Sequence, residues 1–270
     1  MAWFGKLFEK KVCAICGGEI GLLGNRKLED GNMCKHCAAK LSPWFNDRRE
    51  STVEQILGQL EYRAANKEKV AAFHITRTIG QYTKVLLDED AGVFMVTGAT
   101  DLEEENPDVL SFGDVTGCEL DIDEDERELK RTDKEGNQVS YNPPRYEYYY
   151  NFYIIIHVRN PYFSEIRFRI NSSSVEITPR VAAMPPRPFP GHPGGGMRNK
   201  YNPETDVEYR RFREMGEEIR DTLLQARQQA RDTAAAAAAP KIAATCPYCG
   251  ATTTPDANGC CEYCGGSVTV

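Results

Sequence analysis

The sequence predicts an α+β protein made of several units, and three observations lead to this prediction. Cysteine pairs with Cys-x-x-Cys spacing lie close to both ends of the chain. From about residue 72 to residue 178 the apolar residues recur with the two-residue period of β-strands. The segment that follows returns to helical spacing. A length of 270 residues leaves room for one or two cored domains beside the small cysteine-rich units.

The eight paired cysteines form two sets of candidate metal ligands. One set has 17 residues between its pairs and the other has 11. A Cys-x-x-Cys turn presents two thiolates to one tetrahedral ion, and two such turns close a four-sulfur shell that leaves no position for water or substrate. We therefore predict two structural Zn²⁺ ions, bound by Cys13, Cys16, Cys34 and Cys37 and by Cys246, Cys249, Cys261 and Cys264.

Two cysteines are left over. Cys260 is next to Cys261 and competes with it as a ligand, but the spacing from Cys260 to Cys264 differs from that of the partner turn, so Cys261 is preferred. We expect Cys118 and Cys260 to be ordinary thiols. Disulfide bonds would need an oxidising compartment, and the first residues lack the apolar core and cleavage site of an export signal. We therefore expect the chain in the cytoplasm.

Three units are predicted before the strand-rich region. Residues 12–45 form the first zinc ribbon, in which Asp30-Gly31 marks a hairpin between the cysteine turns and a short helix follows, an order typical of a treble clef. Residues 51–71 form a helix, because Ser51 and Glu54 have capping-box spacing. Its predicted buried stripe is Val53, Ile56, Leu57, Leu60 and Ala64. Residues 1–11 form an amphipathic tip with lysines and the apolar residues Trp3, Phe4, Leu7 and Phe8.

Residues 72–178 are predicted to form an antiparallel β body, because turn signals separate its apolar runs. The run Tyr146–Arg159 has apolar residues on both faces, which predicts a strand covered on both sides. The other candidate strands are Phe73–Ile75, Tyr82–Leu87, Val93–Val96, Val109–Phe112, Val115–Ile122, Glu128–Lys130 and Tyr162–Ile170.

The C-terminal third begins with an exposed Pro/Gly-rich loop at residues 184–203. Residues 205–235 are predicted to form a long amphipathic helix that packs on the β body. Residues 236–244 are a linker, since an alanine run ends there at a proline, and residues 245–270 form the second zinc ribbon. The apolar face of the helix carries Phe212, Met215, Ile219, Leu223 and Ala226.

Three resemblances extend this interpretation. A small antiparallel barrel of about seven strands, capped by one long helix, resembles the pleckstrin-homology-like architecture in its order of elements. The segment from Cys13 to Gly31, followed by Cys34-Lys-His-Cys37 and Leu41-Ser-Pro, resembles the bacterial domain of unknown function 4428. That resemblance implies a bacterial cytoplasmic protein and brings no established activity. The last cysteine set resembles the generic zinc ribbons appended to many bacterial proteins.

Nothing in the sequence predicts catalysis. We find no Gly-rich phosphate loop, nucleophile elbow or catalytic metal signature, and so we name no catalytic residue and no small-molecule substrate. The favoured hypothesis is a non-catalytic adaptor that binds protein partners or self-associates. An enzyme whose site forms only in the fold is an alternative. The four histidines fit no recognised pattern: His36, His74, His157 and His192.

Two other binding hypotheses concern surfaces rather than proteins. Peripheral membrane association would use the tip at residues 1–11 together with the β body, because the tip combines apolar and basic residues and the body resembles a fold that sometimes binds lipid headgroups. Nucleic-acid binding would use the ribbons. It is disfavoured because the formal net charge of -7 falls to about -11 when two four-thiolate sites each add roughly two negative charges.

Overall fold

The computed structural model describes residues 11–179, 201–238, 243–256 and 259–268. Almost all of the predicted tip, most of the Pro/Gly-rich loop and part of the predicted linker lie outside these residues. The chain divides into two compact units, Met1–Arg227 and Gln228–Val270. Within the described residues, no helix is both long and apolar enough to cross a membrane.

The first unit begins with two small hairpins and a one-turn helix. Its core contains Leu28, Met33 and Leu41 together with Cys13 and Cys37. A hairpin between the cysteine turns and a short helix after them were predicted, whereas the first of the two hairpins was not. The elements are β1 (Lys11–Val12) paired with β2 (Glu19–Ile20), β3 (Asn25–Lys27) paired with β4 (Asn32–Cys34), and α1 (Lys35–Ala38).

The N-cap of helix α2 (Val53–Ala72) is Thr52, one residue after the predicted capping residue Ser51. Thr52 forms a reciprocal pair of hydrogen bonds with Gln55, which satisfies two otherwise unpaired backbone N–H groups. The hydroxyl of Ser51 instead donates to the backbone oxygen of Asp47. The helix has 20 residues, so it is about 30 Å long.

The buried face of α2 is more polar than predicted. Leu57, which belongs to the predicted stripe, is 43% exposed. The N-terminal half of the helix packs on the ribbon through Ile56, and the C-terminal half packs on the first sheet through Val70. The buried residues of the helix are Ile56, Gln59, Arg63, Asn66 and Val70.

The β body contains two antiparallel sheets. The first has its strands in chain order, with the short helix α3 (Leu102–Glu105) between the third and fourth. The predicted strand at Phe73–Ile75 is absent, because the chain there leaves α2 and the backbone N–H of His74 donates to the carboxylate of Asp88. The strands are β5 (Arg77–Gly80), β6 (Lys84–Asp88), β7 (Val93–Thr97) and β8 (Leu110–Ser111).

The second sheet is built around one long strand. β9 (Val115–Thr132) is continuous, so the predicted break between Ile122 and Glu128 does not occur. β10 (Gln138–Val158) pairs with β9 along one edge. Its other edge pairs with β11 (Glu165–Arg169) and β12 (Val175–Ile177). Residues 127–147 extend past the other strands, and we call this part the hairpin arm.

Burial along β10 alternates. Tyr150, Phe152, Ile154 and Ile156 are buried, while the residues between them are only partly buried. From Tyr150 to Val158 the strand is therefore buried on one face, not on both as its composition predicted. The two sheets share no hydrogen-bonded ladder in the described part of the chain, so the predicted closed barrel is not confirmed.

Helix α4 (Val207–Ala238) packs on the buried face of β10 through its N-terminal part, which carries Tyr209 and Phe212. Tyr209 makes edge-on contacts with Tyr150 and Phe152, at 4.8 and 5.2 Å between ring centroids. The buried stripe contains Gly216, whereas the predicted Met215 is only partly buried. The backbone of Gly216 lies so close to Leu120 of β9 that a Cβ added to Gly216 would be 2.5 Å from Cδ1 of Leu120. The buried residues of the helix are Tyr209, Phe212, Gly216, Ile219 and Leu223.

The described residues of the second unit include a small hairpin, β13 (Ala244–Thr245) with β14 (Thr252–Thr253). Its core is formed by Cys246, Cys261 and Val268, with Ala244 packed against them. So small a core buries little apolar surface, and the stability of this unit must therefore depend on another interaction.

Candidate metal centres

The first cysteine group consists of Cys13, Cys16, Cys34 and Cys37, which the fold brings from two turns to one point. Their sulfur atoms all lie within 4.8 Å of one another, and the Sγ atoms of Cys16 and Cys34 are 3.9 Å apart. Cys13 and Cys37 are buried, whereas Cys16 is exposed. The group therefore lies at the edge of the ribbon core, with one side towards solvent.

Backbone hydrogen bonds position each turn of the first group. The N–H of Cys13 donates to the backbone oxygen of Gly18, and its own carbonyl accepts from Gly17. Cys34 is the N-cap of α1, and its sulfur accepts from the backbone N–H of Cys37 at 3.4 Å. The N–H of Cys34 in turn donates to the sulfur of Cys13. These bonds hold both turns in place around the four sulfurs.

The second cysteine group consists of Cys246, Cys249, Cys261 and Cys264. The Sγ distances are 3.6 Å between Cys246 and Cys264 and 3.7 Å between Cys249 and Cys261. Its two turns have the same backbone geometry. Gly250 and Gly265 each donate to the carbonyl of the first cysteine of the turn and have φ values of 72° and 71°, a region in which glycine avoids a steric penalty.

These separations fit a tetrahedral ion. A zinc ion with Zn–S bonds of about 2.3 Å has S–S edges of about 3.8 Å, close to the three distances given above. A disulfide would bring two sulfurs to about 2.05 Å. All ten cysteines are free of disulfides. Each four-cysteine group could therefore hold one metal ion, and the arrangement is consistent with zinc.

The thiols of the first group differ in acidity. Burial raises the pKa of Cys13, but backbone N–H groups of Cys16, Cys34 and Ile15 outweigh it and bring the pKa to about 6. Burial and hydrogen bonds to neighbouring sulfurs raise the pKa of Cys37 to about 12. Four thiolates so close together repel one another, so the last proton is hard to remove without a cation in the group.

The thiols of the second group also differ in acidity. The backbone N–H of Cys249, assisted by that of Tyr248, lowers the pKa of Cys246 to about 7. For Cys264, the backbone N–H of Gly266 favours the thiolate, but hydrogen bonds with Cys249 and Cys246 raise the pKa to about 12. Both groups are thus preorganised for a cation that replaces the remaining protons.

The two leftover cysteines lie outside both groups. The backbone of Cys260 pairs with that of Ser267 in an isolated antiparallel β-bridge. The backbone N–H of Cys260 donates to the carboxylate of Asp256. The sulfur of Cys261, not that of Cys260, joins the second group. Cys118 is buried in β9, and burial raises its pKa to about 12, which keeps it a thiol.

The histidines at described positions do not form another such centre. His157 lies between Glu119 and Glu165, at 3.6 and 3.9 Å from their carboxylates, on a half-exposed sheet face. Over the described ranges, the two cysteine groups are the only clusters of three or more Cys, His, Asp or Glu with ligand geometry. His192 lies outside these ranges.

A buried polar network beside the first group was not predicted. Arg63 of α2 donates from Nη1 to Asp108 at 2.9 Å, and Ser42 at the end of the ribbon donates to the other oxygen of Asp108 at 2.7 Å. Asn66 bonds the backbone of Pro107 and Val109. The only sequence signal was the set of polar residues at helical spacing along α2. The network joins the ribbon, the helix and the loop before β8.

Comparison with known proteins matches the N-terminal segment of the chain to a family model. No curated protein and no solved structure matches the chain. The segment that does match contains the whole first cysteine group and the first turns of α2, which is less than a fifth of the chain. Residues 11–59 match the family model of a domain of unknown function, DUF4428.

Proposed function

We propose that this chain is a non-catalytic zinc-dependent adaptor of the cytoplasm, which binds a protein partner or a second copy of itself through its C-terminal ribbon. Each cysteine group would hold one Zn²⁺, and four thiolates leave the ion no free position for a substrate. Ten cysteines without a disulfide fit a reducing compartment.

The observation that carries this proposal is a pair of matched tyrosines. Tyr248 and Tyr263 occupy the third position of the two Cys-x-x-Cys turns, and each is 73% exposed. Tyrosine is enriched at protein interfaces, where its ring contributes large contact area and its hydroxyl a hydrogen bond. The second unit buries neither ring, so both are available to a partner.

The ring of Tyr248 is also held in place. It lies against the backbone of Gly266, where an added Cβ would be 2.6 Å from its Cδ2. A side chain that is already ordered loses less conformational entropy on binding. The metal orders both turns, which links partner binding to metal binding.

We also propose that the β body is a variant of the pleckstrin-homology-like architecture. In support, a four-stranded antiparallel sheet is followed by a second antiparallel sheet and then by one long helix on its buried face. Fold alone does not determine function, so this architecture supports the adaptor proposal only together with the closed cysteine groups and the exposed tyrosines.

The metal assignment is tested by elemental analysis of the purified full chain. We expect two zinc ions per chain, and one in each of the variants Cys13→Ser and Cys261→Ser. The matched controls Cys118→Ser and Cys260→Ser should retain two, because these sulfurs lie outside both groups. Loss of an ion from Cys260→Ser but not from Cys261→Ser would contradict the ligand set.

The partner assignment is tested with the double variant Tyr248→Ser/Tyr263→Ser. Crosslinking and pull-down with the intact chain should recover a stoichiometric partner, or light scattering should show a dimer, and the double variant should lose it while retaining two zinc ions. Tyr82→Ser, at another exposed tyrosine, is the control. A wild-type chain that is monomeric and recovers nothing contradicts the proposal.

A further inference from the structure

The turn between β2 and β3 carries two leucines that the fold does not bury. The backbone N–H of Gly24 donates to the carbonyl of Gly21 at 2.9 Å, which closes the turn. Leu22 and Leu23 are its central residues and are 85% and 91% exposed. Such positions usually carry Gly, Pro, Asn, Asp or Ser. Neither leucine belongs to the ribbon core of the described residues, and an exposed apolar pair of this kind indicates an interaction site.

A cationic surface adjoins this turn. It contains two neighbouring concavities of about 370 and 940 Å³, and Arg26 and Arg48 line both of them. The smaller one has no acidic residue in its wall. The larger one includes Glu29 and Glu50, so cations remain in excess. We define the cationic surface as Arg26, Lys27, Lys35, Arg48 and Arg49.

The charges of this surface have no ion-pair partner among the described residues. Arg48 donates to the backbone oxygen of Lys27 at 2.6 Å rather than to a carboxylate. Burial, and then repulsion from Arg49 and Arg26, lowers the pKa of Arg48. An external anion would relieve this repulsion.

The apolar turn and the cationic surface touch at Arg26. Its guanidinium donates to the backbone oxygen of Leu23 at 3.4 Å and to that of Asn25 at 3.3 Å. Lys11, opposite Ile20 in the β1–β2 pair, places another cation next to the turn. The fold thus presents two exposed aliphatic side chains beside a group of unpaired cations.

This combination distinguishes between classes of anionic partner. A nucleic acid would use the cations, but its phosphates offer nothing to a pair of leucines at the tip of a turn. An anionic bilayer uses both features, since its headgroups attract Lys and Arg and the region beneath them accepts aliphatic side chains. We propose that the first ribbon docks on anionic lipid membranes by inserting Leu22 and Leu23 while the cationic surface binds the lipid phosphates.

The proposal is independent of the tyrosine pair on the second ribbon. It also differs from anchoring through residues 1–11, because the contacting residues are Leu22, Leu23 and the cationic surface. The leucines and the basic patch act together, because the strength of interfacial binding depends on the buried apolar area and on the attraction to anionic lipids.

The test is flotation of the full zinc-loaded chain with vesicles of phosphatidylcholine containing about 30% phosphatidylglycerol, a content that gives a strongly negative surface. Pure phosphatidylcholine vesicles are the reference. We expect binding to the anionic vesicles only, and weaker binding as salt rises. Equal flotation with both vesicle types, or none with either, would overturn the proposal.

Two matched pairs of variants assign the contact. Leu22→Ser/Leu23→Ser should weaken binding about tenfold or more, while Ile75→Ser/Val207→Ser, at other exposed aliphatic residues, should not. Lys27→Gln/Lys35→Gln/Arg49→Gln should weaken it about 100-fold, at roughly fivefold for each cation. The charge-matched control Lys67→Gln/Lys69→Gln/Lys130→Gln changes exposed lysines elsewhere and should retain wild-type binding.

A variant whose fluorescence changes on membrane insertion tests the same contact without relying on a loss of binding. Leu23→Trp should show a blue-shifted emission component, relative to wild type, when anionic vesicles are added, and brominated lipid should quench it. If the leucine variant floats like wild type, the turn does not insert and the proposal fails. It also fails if the cation variant loses binding to mixed-sequence DNA in a mobility shift while its vesicle binding is unchanged.

Discussion

Among single residues, Arg63 and Asp108 link the ribbon to the β body. The side chain of Asp108 is 0% exposed and that of Arg63 is 8% exposed. Arg63 also donates to the backbone oxygen of Lys40 in the ribbon. A buried carboxylate tolerates the loss of water only while its cation and hydrogen-bond donors remain in place.

We predict that Arg63→Met destabilises the first unit by about 3–5 kcal/mol, because it leaves the carboxylate of Asp108 buried without its cation. Urea unfolding measures this loss. The double variant Arg63→Met/Asp108→Leu should cost less than Arg63→Met alone, since no unpaired charge remains. Additive losses from the two single variants would contradict the coupling.

Asp88 predicts a pH dependence of stability. The backbone N–H groups of His74 and Ala91 donate to its buried carboxylate, outweigh the effect of burial and hold the pKa of Asp88 below its usual value. The unfolded carboxylate titrates near 3.9. The stabilisation is therefore fully present above about pH 4 and is lost as pH falls through the lower pKa of the folded state.

For Asp88→Asn we expect a loss of about 1.5–3 kcal/mol at neutral pH, since a neutral amide replaces a charged acceptor. The difference in unfolding free energy between wild type and variant should shrink as pH falls below about 4. Glu89→Gln, at the exposed neighbour, is the control. A difference that stays constant from neutral pH to acid would show that the charge of Asp88 is not the cause.

At the scale of elements, the contact between α4 and β9 depends on glycine, which has no side chain, at position 216. Glycine inside a helix costs about 1 kcal/mol relative to alanine, so Gly216 needs a packing reason. That reason is Leu120, whose Cγ and both Cδ atoms would lie within 3.3 Å of an added Cβ. The helix and the sheet are closer together at this point than two ordinary side chains would allow.

We predict that Gly216→Ala destabilises the protein by about 1 kcal/mol, because overpacking outweighs the gain in helix propensity. In the background Leu120→Ala the same change should be stabilising, since the clash is absent. Thermal or urea unfolding of the four variants of this cycle gives the sign in each background. The same sign in both backgrounds would show that Leu120 is not the obstacle.

Local patterns predicted some elements well and others poorly. The cysteine turns were predictable because the residues that hold one ion lie within a few positions of each other, as Cys13 and Cys16 do. The buried face of α2 was not, because Arg63 and Asn66 are satisfied by partners more than 40 residues away. The apolar stripe therefore predicted the helix correctly but wrongly placed Leu57, which is exposed, on the buried face.

The second sheet shows the same limit. The sequence predicted separate strands at Val115–Ile122 and Glu128–Lys130, yet β9 is continuous because its partner β10 pairs with the residues between them. Likewise, both faces of β10 are apolar in sequence, and only the position of α4 decides which face is buried. Sequence pattern indicates that a strand exists, while its length and its buried face depend on distant partners.

At the scale of the whole molecule, α2 belongs to two cores. Ile56 packs among the residues of the first cysteine group, and Val70 packs on the first sheet with Leu86 and Met95. A ribbon of this size depends on its metal for most of its folding free energy. Metal binding should therefore stabilise one half of a helix whose other half is held by the β body.

We predict that chelation of the metal removes hydrogen-exchange protection from residues 53–60 of α2 while residues 66–72 remain protected. The first half loses its packing partner when the ribbon unfolds, and the second half keeps the sheet. Hydrogen exchange followed by mass spectrometry measures both segments in one sample. Uniform exchange along the helix after chelation would show that it responds as one unit.

The hairpin arm has a consequence for handling the protein. Its two strands pair only with each other in the described part of the chain, so each presents an open row of backbone donors and acceptors. Pro143 and Pro144 lack an N–H to offer, and charged residues such as Lys130 and Arg131 oppose growth of an intermolecular sheet. Replacing these residues with valine would turn the arm into a seed for aggregation, and concentrated salt would weaken the electrostatic part of that protection.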